Sequence, residues 1–498
     1  MRRFPIAIIS LLLAACSAQV PSEFSNVAET PAIWPDYTDI TVPSNIAPLN
    51  FRINQAGDDF RTRLTSGKGQ VVLKGEKACM SVKEWRSLTE SATDIKVEVF
   101  VRQEGKWRLY KPFLIHQAEP IDEYISYRLI PPSAVSYEQL TINQRNLTDF
   151  KEDVIYSNAL IQKDRNGQCI NCHHYRNYRT DNMQFHARQY KGGTVLILNG
   201  EKHKVNLKTD STLSAGVYPA WHPTHDYIAY STNQTKQSFH MTDRNHIEVL
   251  DLASDLILYD IRENSVSVIE NDSDHFECFP AWAPDGKTLY YVSAFLPAAY
   301  SATREGELLN SYKSFHYDLY AKPFDPETRS WGPSRKIIDA AAMRKSITLP
   351  RVSPDGRYLM FTMGEYGVFH IWHTDADLYL LDLQSGQIRS ASQINSDNVE
   401  SYHSWSSNGK WVIFSTRRDD GGYTRLYISH FNGDGTFTKP FALPQEDPDF
   451  ANQFMRSYNI PEFMIEPVST TPHELARFVD SNNAESVSFS QKKEQAPN

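Results

Sequence analysis

The stretch Phe279-Pro280-Ala281-Trp282-Ala283-Pro284-Asp285-Gly286, followed by Leu289-Tyr290-Tyr291-Val292-Ser293, decides the fold. Pro-Asp-Gly is a tight-turn sequence, because Pro fixes φ, Asp bonds locally and Gly accepts the strained backbone position. The apolar and aromatic run after the turn has the residue types of a strand. The stretch therefore predicts a strand, a tight turn and a second strand.

The same unit recurs in the chain, and each copy continues into further strands. The other copies begin at 218–223, 349–356 and 402–409 and continue into the apolar runs 227–231, 358–362 and 411–415. A third strand follows in each of the four units, and turns after it lead to a fourth; the third strands are at 256–260, 318–321, 378–382 and 426–429. An internal repeat of four strands is typical of a β-propeller blade.

The Pro-x-Trp-x-Pro-Asp-Gly pattern resembles that of the TolB-like propeller family. The resemblance covers 216–443, less than half of the chain. It implies a mainly β protein with six or seven blades, in which strands between 121 and 208 supply the blades beyond the four repeats. We therefore assign 116–460 to a TolB-like β-propeller.

A second motif, Cys169-Ile170-Asn171-Cys172-His173, carries the chemistry. In c-type cytochromes two thiols at this spacing form thioethers to the haem vinyl groups, and the adjacent His ligates the iron. The motif is also compatible with a zinc half-site, a redox Cys-x-x-Cys pair or coincidence. We expect one covalent haem c in a segment, 163–193, inserted between propeller strands, with His173 as the proximal ligand.

The sixth iron ligand is open between several candidates. Met183 and His186 lie just downstream of the motif, and Met raises the reduction potential of a haem. Otherwise the sixth position is filled from elsewhere in the chain or is left open.

The amino terminus has the pattern of a bacterial lipoprotein signal. Arg2 and Arg3 precede an apolar run that ends in Leu13-Ala14-Ala15-Cys16, so we expect cleavage after residue 15 and lipidation of Cys16. The competing interpretation is an ordinary secretory signal with a chance Cys. The absence of Asp after Cys16 favours the outer membrane, with the body in the periplasm or at the surface. The net charge of −9 and the lack of a basic tract argue against nucleic acid as a partner.

The remaining segments complete the predicted organisation. Polar residues 16–41 suit a lipid-anchored tether, and alternating apolar runs within 42–115 suit a small β-sandwich-like domain with one helix near 81–91. Residues 461–498 suit a polar tail with one helical turn at 472–479. Cys79 and Cys278 remain after the lipid and haem cysteines are assigned. They either pair in the oxidising periplasm or are two separate buried thiols.

Phe-His pairs recur in the loops between second and third strands, at His240, His316 and His370. Equivalent loops of a repeat protein emerge on one face, so these histidines are candidates for a pocket over the haem edge or for a small-molecule site. The competing interpretation is that they are repeat packing residues.

These features together predict a membrane-anchored periplasmic c-type haem protein. We expect one-electron transfer to a redox partner protein, with the propeller as docking platform and no catalytic residues of its own. One rival is a haem enzyme with an open iron site. The second rival is a scaffold for envelope proteins in which the haem is structural.

Overall fold

The computed structural model describes residues 18–132, 139–161, 167–297 and 304–490. The expected signal segment and Cys16 lie outside these residues. Two compact units are formed: one by the described part of 1–39 with 48–116, and one by 40–47 with 117 onward. None of the described helices is long and apolar enough to cross a membrane.

The smaller unit is built from short strands and one helix. Strand β8 pairs antiparallel with β5, β9 and β10, and β2, β4 and β7 form a second sheet. Helix α1 occurs where the sequence predicts it, because Ser81 and Glu84 form a capping box at its start. The elements up to residue 118 are β1 Ser25–Asn26, β2 Ile33–Trp34, β3 Ile40–Pro43, β4 Phe51–Ile53, β5 Asp59–Ser66, β6 Gly69–Lys74, β7 Lys77–Ala78, α1 Val82–Thr89, β8 Asp94–Gln103, β9 Lys106–Leu109 and β10 Phe113–Ala118.

The larger unit is a β-propeller, a succession of antiparallel sheets each built from neighbouring strands of the chain. The first sheet contains β11 Tyr124–Ile130, β12 Thr141–Asn146 and β13 Glu152–Ser157, and the second contains β14 Gln168–Arg176, β15 Arg179–Gln189, β16 Gly193–Leu198 and β17 Glu201–Asn206. The third contains β18 Val217–Trp221, β19 Tyr227–Phe239, β20 Ile247–Asp260 and β21 Ser265–Glu270.

The last three sheets and the carboxyl-terminal elements follow the same plan. The fourth sheet contains β22 His275–Trp282, β23 Thr288–Phe295, β24 Asp318–Asp325, β25 Ser330–Trp331 and β26 Arg335–Ile338. The fifth contains β27 Ser346–Val352, β28 Tyr358–Gly364, β29 Asp377–Asp382 and β30 Ile388–Ser390, and the sixth contains β31 Glu400–Trp405, β32 Trp411–Thr416, β33 Arg425–His430 and β34 Phe441–Ala442. The remaining elements are α2 Arg304–Ser311, α3 Phe450–Gln453, β35 Ser457–Met464, α4 Pro472–Ser481, β36 Glu485–Ser486 and β37 Ser488–Phe489.

Strand β35 joins the two ends of the propeller. It pairs with β11 as the innermost strand of the first sheet, although the two are more than 300 residues apart in the chain. The innermost strands β14, β18, β22, β27, β31 and β35 contact one another in that order, and β35 also contacts β14. These six strands therefore form a closed ring around an axis.

The four repeats fold as the sequence predicts. The amide of Gly286 donates to the carbonyl of Ala283, and Gly356 and Gly409 make the same bond to Ser353 and Ser406. Each turn joins the first two strands of its sheet, and apolar side chains from neighbouring sheets pack between them, as Leu289 and Trp282 do against Leu258 of the preceding sheet.

Gly286 and Gly356 offer a matched test of these turns. Both have left-handed φ, +70° and +72°, but a Cβ on Gly286 would lie 2.6 Å from His222 Nε2, whereas a Cβ on Gly356 would meet nothing closer than 3.8 Å. We expect Gly286→Ala to lower the free energy of unfolding by about 2–5 kcal/mol, because backbone strain and overpacking add. Gly356→Ala should cost only about 1–2 kcal/mol, from the backbone alone. Urea unfolding measures both, and equal costs would contradict the packing of His222 on this turn.

Several predicted boundaries differ from the structure. The segment 16–41 is not a free tether throughout, because Ile33 and Tyr37 are buried. The propeller does not end at 460, because β35 runs on to Met464. The tail 461–498 contains a packed helix, α4, whose Leu475 and Val479 are fully buried. The helical turn expected at 472–479 lies within α4, but its packing and the other two departures were not predicted. Apolar residues spaced along short polar segments give little periodicity.

The expected haem segment also differs, since 163–193 is not an insertion between propeller strands. Its described residues contain β14 and β15, the first two strands of the second sheet. The Cys-x-x-Cys-His motif lies within β14.

Candidate functional site

The motif sits on a bulge in an innermost strand. Cys172 has a left-handed φ of 56°, and the pairing of β14 with β15 shifts register between Asn171 and His174. A bulge adds a residue to one strand and redirects the side chains next to it. Cys169, Cys172 and His173 therefore lie on bent strand, not on a helical turn.

All six innermost strands have this bulge. The residue with positive φ is followed by Pro in four strands and by His in the remaining two; the six pairs are Cys172-His173, Tyr218-Pro219, Phe279-Pro280, Leu349-Pro350, Tyr402-His403 and Ile460-Pro461. All six residues with positive φ line one cavity of about 40 Å³ on the axis. Cys172 and His173 thus occupy the positions that an apolar residue and Pro occupy in most of the repeats.

The two thiols are free and differ in exposure. Cys169 is partly buried, and Cys172 is buried, with the amide of Tyr218 donating to its Sγ at 3.5 Å. Burial raises the pKa of the Cys172 thiol, which therefore stays protonated at neutral pH. Cys278 precedes the bulge of β22 and is likewise a buried free thiol, with Ser231 Oγ 3.5 Å from its sulfur.

His173 is the clearest sign of a missing partner. It is 1% exposed, and neither ring nitrogen has a hydrogen-bond partner among the described residues. The backbone of Ser126 and Ile460 faces the ring without bonds of normal geometry, and the ring packs edge-on against Tyr175 at 6.3 Å. Burial lowers the pKa of His173 to about 3, so the imidazole is neutral and has a free lone pair, the form that binds iron.

Met183 and His186 lie on opposite faces of the second sheet, because they are three positions apart on one strand. Met183 is opposite Tyr175, the ring that contacts His173, and belongs to the same hydrophobic cluster. His186 is opposite Asn171, and its Nδ1 lies 3.1 Å from Thr194 Oγ1. Burial lowers the pKa of His186 to about 3. Met183 is the better placed of the two candidates toward His173.

The donor set fits a c-type haem, whereas the space around it is small. Two free thiols and a neutral imidazole without a partner are the groups that such a haem requires. The cavity at Cys172 and His173, about 40 Å³, exceeds only slightly the roughly 30 Å³ share of one water molecule. A haem-loaded chain must therefore pack these inner strands differently. Among the described residues no group of three or more His, Cys, Asp and Glu is placed to hold a metal ion, so a zinc site at the motif finds no further ligands there.

The Phe-His pairs lie on loops that contact one another. The ring of His240 stacks on Tyr312 at 5.1 Å, and Tyr312 packs edge-on against Tyr366 at 5.5 Å. His370 is buried, and its Nε2 lies 3.0 Å from the carbonyl of Tyr366, as expected of a packing residue. His316 is half-buried, and burial lowers its pKa. None of the three lines the cavity at the motif.

Two polar side-chain contacts join parts of the chain that sequence reasoning did not connect. His373 Nε2 lies 2.8 Å from Glu248 Oε2, with both side chains buried. Arg351 Nη2 donates to Glu462 Oε1 at 2.6 Å, at one end of the axial channel. Each pair is more than 100 residues apart in the chain, so no local pattern could have revealed it.

Comparisons with known proteins give only distant similarity. No protein-family model matches the chain, and no curated protein matches it. A solved structure of TolB from Acinetobacter baumannii is similar, with a TM-score of 0.42 and 14% identity over 77% of this chain and 85% of that one. The β-propeller domain of the Trilobed protease from Pyrococcus furiosus has a TM-score of 0.31 and 11% identity over 72% of this chain and 96% of that one. An ACO/RPE65 chimera has a TM-score of 0.37 and 11% identity over 86% of this chain and 98% of that one.

Proposed function

We propose that the protein is a c-type haem protein of the bacterial cell envelope that transfers single electrons. Thioethers from Cys169 and Cys172 would attach the haem, and His173 would ligate its iron. The observation that carries the proposal is the buried His173 ring, which has no hydrogen-bond partner among the described residues and adjoins two free thiols. An unpaired buried ring nitrogen costs about 1–3 kcal/mol, which a ligand would recover.

Each side chain has a separate task in this proposal. The bound haem supplies the one-electron chemistry. The buried site holds His173 neutral, because burial lowers its pKa to about 3. Met183 would supply a thioether ligand and so raise the reduction potential. The hydrophobic cluster around Met183 and Phe185 keeps water from the site.

The frame of the proposal is a six-bladed propeller closed by β35. Six sheets and a ring of six innermost strands support this count over seven in the described residues. The TolB-like repeat, the lipobox at Cys16 and the haem motif together favour an outer-membrane lipoprotein with its body in the periplasm. Its partners would then be a redox protein and envelope proteins.

Covalent haem is the decisive test. After co-expression with a cytochrome c maturation system, the intact mass should include one haem, and the denatured protein should stain for haem. The double variant Cys169→Ala, Cys172→Ala should lose both signals. Cys278→Ala is the matched control, because it removes another buried thiol beside an inner-strand bulge and should keep the haem. Wild-type protein without the added mass would overturn the proposal.

Ligand variants and added ligands then separate the rival functions. Met183→Leu should lower the midpoint potential if Met183 is the sixth ligand, whereas His186→Ala should not.

A reduced spectrum unchanged by carbon monoxide supports electron transfer, and ready binding of carbon monoxide supports a haem enzyme. Envelope partners retained by the haem-free double variant would support the scaffold.

A further inference from the structure

A larger cavity opens at the end of the ring of innermost strands where the Pro-Asp-Gly turns lie. Its volume is about 230 Å³, and all six innermost strands or their turns contribute to its wall. Pro223, Pro284 and Pro354 of three equivalent turns mark its rim. We call it the turn-side mouth. His174, Pro280 and Arg351 line both this mouth and the cavity at the motif.

One cation dominates the polar wall of the mouth. The Arg351 side chain is 32% exposed and lines the cavity. Its Nη2 donates to Glu462, and its Nη1 lies 3.2 Å from His174 Nε2. A guanidinium has five N–H donors in a rigid fork, so these two contacts leave donors for a further acceptor. Glu462 is buried beneath the arginine and fixes its orientation.

His174 adds an unsatisfied donor to the same wall. Arg351 can only donate, so Nε2 of His174 must accept. With Nε2 accepting from Arg351, the ring proton sits on Nδ1. That Nδ1 has no hydrogen-bond partner among the described residues. A buried donor without a partner costs about 1–3 kcal/mol. Because the atom is buried, an acceptor in the mouth would reach it only after the ring shifts.

Aromatic rings form much of the remaining wall. Trp221, Trp282 and Trp405 lie at equivalent positions on three innermost strands and line the cavity. The indole N–H groups of Trp282 and Trp405 donate to the carbonyls of Ala220 and Arg351, which leaves their apolar surfaces as wall. The wall thus combines a cation, a donor without a partner and apolar rings. Such a wall suits a ligand that has an acidic end and an apolar end.

We propose that the turn-side mouth binds the carboxylate of a small apolar or aromatic acid. The carboxylate would accept from Arg351 and from His174 Nδ1, and the apolar part would pack on the tryptophans. The cavity is smaller than the roughly 300–1,000 Å³ of ordinary ligand pockets, so the fitting part is about the size of one aromatic acid. The acid is either a free metabolite or a propionate edge of the chain's own haem.

Paired probes test the proposal. Phenylacetate should bind the haem-free variant Cys169→Ala, Cys172→Ala saturably, measured by calorimetry and by quenching of tryptophan fluorescence. Phenylacetamide, which has the same shape without the charge, should bind at least tenfold more weakly. Equal binding of acid and amide, or binding of neither, would overturn the proposal.

Three variants locate the binding. Arg351→Gln should weaken phenylacetate binding at least tenfold, whereas Glu462→Gln should strengthen it because a competing negative charge is removed. Arg357→Gln is the control, since this exposed arginine pairs with Asp382 and is absent from the lining of the mouth. The double variant Arg351→Gln, Glu462→Gln leaves no unpaired buried carboxylate, so weak binding by this variant with an unchanged melting temperature cannot be ascribed to misfolding. Undiminished binding by Arg351→Gln would overturn the proposal.

The source of the acid is distinguished by haem loading. If the free metabolite is the ligand, phenylacetate should bind the haem-loaded and haem-free proteins alike. If the haem propionate is the ligand, the haem-loaded protein should not bind phenylacetate, and Arg351→Gln should shift its midpoint potential. If the haem proposal fails, binding of a free metabolite can still be tested, because the primary measurement uses the haem-free protein.

Discussion

Ending the chain after Arg456 should abolish cooperative folding of the propeller. Seven of the eight residues of β35 are buried, and β35 pairs with β11 along its length while contacting β31 and β14. Its removal exposes the edge of β11 and the apolar surfaces that Phe463 and Met464 cover. Full burial of one such side chain stabilises a protein by about 1.5–3 kcal/mol, so the loss of several exceeds the usual margin of about 5–15 kcal/mol.

Circular dichroism melts and limited proteolysis measure this effect. A chain ending after Asn482 is the matched control, because it keeps β35 and α4 and, of the described elements, loses only the short strands β36 and β37. The control should melt cooperatively, and the shorter chain should aggregate or be cut rapidly throughout the propeller. A cooperative melt for the shorter chain would show that closure by β35 does not hold the ring together.

The four repeats could be predicted because each carries its own local signal. In three of them Pro-Asp-Gly or its Asn-Gly variant places the turn, and in the first Pro223 does. The apolar runs beside the turns place the strands. In the second sheet the corresponding turn is formed by Asn177 and Tyr178, both with positive φ, and has no Pro or Gly. The first sheet takes its innermost strand from the far end of the chain. Neither feature has a local pattern, so the sequence predicted further blades between 121 and 208 without the strand pairing that forms them.

The motif shows a different limit of the sequence. The Cys-x-x-Cys-His motif was interpreted only through its thioether chemistry. The residues Cys172-His173-His174-Tyr175 are also a copy of the blade repeat, which that interpretation did not predict. The signal was its match to Tyr218-Pro219-Ala220-Trp221, since an aromatic residue ends both. The convergence of six bulges on the axis could not be predicted, because the residue types at Cys172 and Tyr402 do not indicate a left-handed φ.

Long-range polar contacts were equally hidden. Arg351 follows Pro350 in one repeat, and Glu462 follows Pro461 in a strand that sequence reasoning did not assign to the propeller. Once β35 is known to be an innermost strand, both residues occupy equivalent positions two residues after a bulge. The ring then brings them together at its turn-side end. The alignment of the innermost strands, and not the type of either residue, therefore brings Arg351 and Glu462 together.

Glu277 should make the stability of the protein strongly dependent on pH. It lies on β22, is 3% exposed, and its Oε2 has no hydrogen-bond partner among the described residues. Burial, with a smaller contribution from the nearby negative charges of Asp255 and Glu270, raises its pKa to about 9. The carboxyl is therefore neutral in the folded protein at pH 7 and ionised in the unfolded chain.

The sign of the effect follows from these two states. An acid with a raised pKa in the folded state contributes its full stability below the unfolded value of 4.5 and loses it as the pH rises toward 9. Within this window each pH unit lowers the free energy of unfolding by about 1.4 kcal/mol relative to a side chain that does not ionise. Glu277→Gln should therefore gain about 3 kcal/mol on the wild type between pH 6 and pH 8. Urea unfolding at several pH values measures this difference, with Glu201→Gln, at an exposed glutamate of β17, as the control that should run parallel to the wild type. A constant difference between wild type and Glu277→Gln across the range would mean that Glu277 is ionised in the folded protein, and the core of the fourth sheet would then have to admit water or a counter-charge beside it.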